Sequence, residues 1–220
     1  YTKEANPFLP HDITLNGTAV RSPMGIEGTE HISAAQKFYY EPNRNLSVQV
    51  YGSMFFMNSY DLIQDMTFSQ SRDFMAGVKA KYNVKDWFTV NLSIHNDFYD
   101  RFKRHERIDE RKKVYKSKIF EPRLTLTSTY FSGNSIILGV EHTSDELTSD
   151  RFVNRKMTTR ALHETEYFLQ DEWTANKHWM LSTGVRTNFS KAFGFMYMPK
   201  IAVKYSPDEH WAIRANYSMG

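Results

Sequence analysis

From about Ala34 onward, apolar and polar side chains alternate residue by residue, the pattern of strands whose two faces meet different surroundings. In Leu46–Phe56 the even positions are mostly apolar and the odd ones mostly polar. Phe88, Val90, Leu92, Ile94 and Phe98 alternate with Thr89, Asn91, Ser93, His95 and Asp97. The same reading holds for Leu124, Leu126 and Tyr130, for Ile136, Leu138 and Val140, and for Trp179, Leu181, Val185 and Phe189. Ile201, Val203 and Tyr205 follow, then Trp211, Ile213, Ala215 and Tyr217. No segment of comparable length carries helical spacing. The pattern predicts an all-β chain of about ten antiparallel strands in up-and-down order, the first at Gln36–Tyr40. It assigns Val48, Val50, Phe88, Val90, Leu92, Leu124, Leu126, Leu138, Val185, Ile201 and Ile213 to one face. Asn91, Ser93, Thr125, Arg186 and Asn216 belong to the other.

The links between these strands alternate in length. Short turns are expected at Glu41–Asn45, Asn83–Asp86, Ser132–Asn134, Ala175–His178 and Ser206–His210, and long links at Tyr60–Ser71, Asp100–Glu121, Thr143–Ala161 and Ser190–Tyr197. Transmembrane barrels are wired this way, with tight turns on the periplasmic side and long loops outside. Trp87, Trp179 and Trp211 each follow a short turn and Trp173 precedes one, so all four fall at one end, with Tyr82 and Tyr205 beside them. Indole and phenol rings favour the headgroup layer, where ring and polar handle are both satisfied. These six residues are the expected membrane-interface aromatics. Residues 1–33, with Pro7, Pro10, Gly17, Pro23, Gly25 and Gly28, lack alternation and read as an irregular extension or loop; residues 34–220 read as the barrel segment.

Composition sharpens this reading. Among 220 residues, 15% are aromatic, with 13 Tyr and 16 Phe. Mean hydropathy is −0.58, and no run approaches the ~20 apolar residues of a transmembrane helix. Cysteine is absent, which removes disulfides, thiol catalysis and Cys-ligated metal sites. The net charge of +3 mixes both signs and leaves no footprint for nucleic acid.

Candidate chemistry is sparse. Asp100–Lys118, DRFKRHERIDERKKVYKSK, is the most charged stretch. It reads as a solvated loop and strand extensions above a membrane, with an extracellular loop meeting an anionic ligand or lipopolysaccharide phosphates as the functional alternative. Of eight His residues, only His95 with Asp97, and His142 with Glu141 and Asp145, lie close to acids. His95 and Asp97 share a strand face, as expected of any polar barrel interior. No phosphate loop, helical His pair or nucleophile elbow is present. No catalytic, cofactor or metal residue is assigned.

Four motifs in order carry a resemblance. GVEH (Gly139–His142) is followed by YFLQDEW (Tyr167–Trp173), then LSTGVRTNFSKAFGFMYMPKIAVKYSP (Leu181–Pro207), then WAIRANYSMG (Trp211–Gly220). Their order and spacing resemble the central barrel of TonB-dependent outer-membrane receptors. The resemblance implies a bacterial outer-membrane location and a barrel of about twenty-two strands, of which this chain is a fragment. It also implies contact with membrane lipid and lipopolysaccharide, and coupling to the TonB complex through a plug domain not found in these residues. The cargo it implies is a scarce, bulky nutrient of the iron–siderophore, haem or cobalamin class. Two rivals remain at this point: a small complete outer-membrane barrel enzyme and a soluble lipocalin-like ligand-binding barrel. The enzyme needs clustered catalytic groups, and the lipocalin must turn its apolar face inward.

Overall fold

The computed structural model describes residues 2–4, 12–15, 18–21, 28–60, 67–105, 110–153 and 156–219. Among them are thirteen strands and no helix. They are β1 (Thr2–Glu4), β2 (Asp12–Leu15), β3 (Thr18–Arg21), β4 (Gly28–Asn43), β5 (Leu46–Tyr60), β6 (Thr67–Lys85) and β7 (Phe88–His105). Then follow β8 (Glu110–Ser128), β9 (Asn134–Val153), β10 (Lys156–Thr174), β11 (Trp179–Ser190), β12 (Gly194–Tyr205) and β13 (Ile213–Ser218). Strands β4 to β13 pair antiparallel with their sequence neighbours, and β1 adds to the free side of β4, giving an 11-stranded sheet. β2 and β3 form a separate hairpin. Among the described residues, no crossover interrupts the meander from β4 to β13.

The tight turns have a shared cause. The side-chain oxygen of Asn43 accepts hydrogen bonds from the backbone N–H groups of Asn45 and Leu46 at 2.9 and 3.0 Å. Asn176 does the same for His178 and Trp179, and Asp208 for His210 and Trp211. Each is an Asx turn, which supplies acceptors where the ladder has none. Two of these turns deliver a Trp as the next ordered residue, in the sequences NKHW and DEHW.

Residues directly opposed on neighbouring strands share a face. Leu126, Leu138, Leu169 and Val185 are successive partners across β8 to β11. Val48, Ala80, Leu92 and Leu124 form a parallel row across β5 to β8. All eleven residues expected on the apolar face lie on it. The other face carries the row Ser47, Lys81, Asn91, Thr125, Gly139, Phe168 and Arg186, and all five expected polar residues lie there.

No hydrophobic residue among the described residues is buried. Leu92 is 44% exposed, Leu138 49% and Leu169 46%. Burying a Leu side chain is worth ~1.5–3 kcal/mol, so a layer that leaves whole rows of them uncovered in water cannot stand alone. A lipid phase supplies the missing cover, and a sheet is compatible with lipid because its backbone groups are paired within it. On β7 the apolar face runs from Phe88 to Phe98, ten steps of ~3.3 Å. Tilted by ~40°, that run spans ~25 Å, the height of the apolar band of an outer-membrane barrel.

Several boundaries differ from the sequence reading. β4 begins at Gly28, inside the stretch read as irregular, and its first residues pair with β5 from Tyr60 backward. Asp100–Glu121 is mostly the paired ends of β7 and β8, and Thr143–Ala161 mostly those of β9 and β10. The link between β9 and β10 is only residues 154–155, and β11 and β12 are joined by 191–193. Long strands therefore replace long loops at this end. The physical reason is that polarity stops alternating once both faces meet water, while the backbone ladder continues regardless of side-chain type. The parts of the expected links at 61–66, 106–109 and 154–155 lie outside the described residues.

Candidate functional site

The polar face is organised by two glycine–aromatic pairs. Gly77 lies opposite Tyr51 and Gly139 opposite Phe168. In each pair the aromatic ring lies over the glycine, where a Cβ would collide with it. Glycine within a strand here serves close approach rather than flexibility. Around Tyr51, the hydroxyl is 3.3 Å from His95 Nδ1, the two rings stack at 6.2 Å, and Lys79 lies over the Tyr51 ring at 5.5 Å.

The second pair anchors a charged ladder. Arg123 and Arg186 flank the Phe168 ring at 5.0 and 6.0 Å. Arg123 donates to Glu141 at 3.3 Å and Arg186 to Glu166 at 3.1 Å. Glu141 and Glu166 are directly opposed on β9 and β10, a like-charge pairing that the two guanidinium groups offset. GVEH and YFLQDEW thus touch each other. The glycine of one receives the ring of the other, and Glu141 of the first and Glu166, just before the second, are held by arginines from the strands outside them.

At the extended end, the polar face forms a rim. Ser71 Oγ and the Tyr99 hydroxyl are 3.0 Å apart, and the Tyr99 and Tyr115 rings meet edge-on at 5.6 Å. Next to them a pocket of ≈ 280 Å³ is lined by Arg101, Lys103, Val114, Tyr115, Leu147, Ser149, Arg151 and Phe152. Three of those residues are cationic, and none is acidic. This is the arrangement that suits a bulky anion. Sequence reading did not single it out, because Arg101 and Arg151 lie fifty positions apart and only the register of β7, β8 and β9 unites them.

The remaining candidates are separated. Neighbouring strand residues point to opposite faces, so His142 is on the apolar side, within 2.9 Å of Thr165 Oγ1 and stacked on His163 at 6.3 Å. Glu141 and Asp145 lie on the polar side. His95 and Asp97 share the polar face. No group of three His, Cys, Asp or Glu residues able to hold a metal occurs among the described residues.

All six aromatics expected at a membrane interface lie at the tight-turn end. Tyr82 pairs with Leu46 and Val90 on the apolar face. Trp173 pairs with Leu181, and Trp179 with Tyr205, their rings 4.4 Å apart. Trp87 packs edge-on against Tyr130 at 4.9 Å, and Tyr130 against Phe131 at 5.2 Å. Trp211 sits at the last turn, 68% exposed.

Residues 13–220 match the family described as TonB dependent receptor-like, beta-barrel. No match is found among curated proteins. Among solved structures, the ferric enterobactin receptor PfeA from Pseudomonas aeruginosa, in a mutant form, superposes with a TM-score of 0.75 at 10% identity, over 89% of this chain and 34% of that one. The siderophore receptor PirA from the same organism gives 0.70 at 10% identity, over 87% and 33%. The siderophore receptor PiuA from Acinetobacter baumannii gives 0.68 at 10% identity, over 89% and 42%. At such identity the likeness concerns the fold. The chain spans about a third of the length of the first two structures.

Proposed function

The chain belongs to the TonB-dependent receptor β-barrel family, and from that premise we propose that it is part of a receptor importing an iron–siderophore. Its place is the bacterial outer membrane, and the family is one of receptors rather than enzymes. Haem or cobalamin is the wider cargo class. In this reading TonB supplies the drive through a plug domain, and the extended strand ends face the outside while the tight turns face the periplasm. Trp87, Trp173, Trp179, Trp211, Tyr82 and Tyr205 then occupy the periplasmic headgroup layer. Names of the superposed receptors, two of them siderophore receptors and one a ferric enterobactin receptor, agree with this cargo.

One observation carries the reading: the rim pocket, with Arg101, Lys103 and Arg151 beside Tyr99 and Tyr115. Ferric siderophores of the catecholate type are large, ring-bearing anions, and guanidinium forks and phenol rings are suited to both properties. A hydrogen bond to a charged group contributes ~1.5–3 kcal/mol. Arg101→Gln with Arg151→Gln should therefore lower uptake of a radio-iron-labelled catecholate siderophore roughly tenfold or more. Outer-membrane levels, followed by heat-modifiable gel mobility, should stay unchanged. Arg214→Gln, on the polar face at the opposite end, should leave uptake intact. Full uptake in the double variant would remove the rim from the binding surface.

A further inference from the structure

β8 contains one extra residue. Tyr115 opposes Arg101, but the next pair is Lys113 with Phe102, so Val114 is bulged out of the ladder. Up to Tyr115, the odd residues of β8 share the polar face with Arg101. Beyond the bulge, Lys113 shares the apolar side with Phe102, and Arg111 falls on the same side. Bulges re-aim side chains in this manner. Were Val114 paired in register with Phe102 rather than bulged, Arg111 and Lys113 would face the rim pocket.

The re-aimed residues meet a third cation. Arg72, Arg111 and Lys113 lie 5.3, 4.0 and 5.1 Å from the centroid of one ring, that of Phe102. Asp100 lies 2.8 Å from Lys113. Arg72 Nε is buried and has no hydrogen-bond partner. Burial, and next the neighbouring charge of Arg72, lower the pKa of Arg111. Guanidinium groups crowded in this way favour a multivalent anion with several oxygens over a single carboxylate.

The height and facing of the cluster choose the anion. It lies on the side of the apolar band, where an imported ligand in the barrel interior cannot reach it. Phe102 is four residues past Phe98, ~13 Å along the strand and ~10 Å above the apolar edge after tilting. That is the outer edge of the headgroup layer, which ends ~8–10 Å beyond a ~25 Å apolar band. We propose that Arg72, Arg111 and Lys113, grouped around Phe102 by the bulge at Val114, hold a phosphate of an outer-leaflet phosphoglycolipid. The proposal rests on the outward orientation of this end given above.

The test uses the protein purified in detergent micelles with bisphosphorylated lipid A as probe, bound lipid being counted by native mass spectrometry. The unaltered chain should retain the lipid. Arg72→Gln/Arg111→Gln/Lys113→Gln should weaken retention at least tenfold. Lys81→Gln/Lys112→Gln, both on the polar face, should leave lipid retention unchanged. Lipid A lacking both phosphates should bind at least tenfold more weakly. Equal retention by the triple variant, equal binding of the phosphate-free lipid, or complete displacement by millimolar inorganic phosphate would overturn the site. The orientation is checked separately: Ala192→Cys, the sole thiol of a chain with no Cys, should react with an impermeant maleimide on intact cells. Failure to react would overturn the reading beneath the proposal, whatever the lipid does.

Discussion

Gly139 shows how a single atom can organise the polar face. The ring of Phe168 occupies the space a side chain at 139 would need, and Arg123 and Arg186 use that ring as a platform. Gly139→Val must expel the ring, and overpacking of this type costs ~1–3 kcal/mol. Guanidinium unfolding of the protein in detergent should show a loss of that size. The arginine–glutamate contacts matter less to stability. Arg123 and Arg186 are about half exposed, and ion pairs so close to water contribute ~0–1 kcal/mol. Arg186→Gln alone should therefore shift the same unfolding curve by less than ~1 kcal/mol. None of these contacts was legible in the sequence. GVEH and YFLQDEW could be recognised as motifs, but a glycine and an aromatic 29 positions apart give no local sign that they meet.

At the scale of elements, the middle of each strand was legible and its outer end was not. Between Phe88 and Phe98 a water-like and a lipid-like face impose alternation, so assignment by period two succeeds for β7 and its partners. Past Asp100 the side chains are polar on both faces, and the charge-rich stretch to Lys118 reads as a loop although most of it is paired. The turns at the other end were legible because Asn43, Asn176 and Asp208 carry their own hydrogen-bond acceptors. Thr148 opposes Thr159, so replacing residues 149–158 with Asn-Gly closes β9 and β10 into a shorter hairpin without altering their register. The shortened barrel should still assemble with normal heat-modifiable mobility. Siderophore uptake should fall, since Ser149 and Arg151 of the rim pocket are lost. Normal uptake would detach the β9–β10 extension from ligand capture.

For the whole molecule, the decisive fact is a sheet of eleven strands with no buried apolar residue among those described. A soluble ligand-binding barrel would fold its apolar rows inward. Here the same face that carries Leu92, Leu126, Leu138 and Val185 is left uncovered, and the ring-over-glycine pairs and ion pairs occupy the other. Charge should therefore be tolerated unequally. Leu92→Lys should cost ~2–4 kcal/mol near the bilayer midplane, measured by folding equilibria into phospholipid vesicles, while Ser93→Lys on the adjacent position should cost far less. The most direct measurement is a nitroxide scan of β7, one label at a time from Phe88 to Phe98, in lipid bilayers. Collision with oxygen, which concentrates in the acyl chains, is compared with collision with a water-soluble nickel chelate. High oxygen and low nickel accessibility should recur at positions 88, 90, 92, 94 and 98, with the reverse at 89, 91, 93, 95 and 97. The opposite phase, or no period of two, would contradict the assignment of this face to lipid.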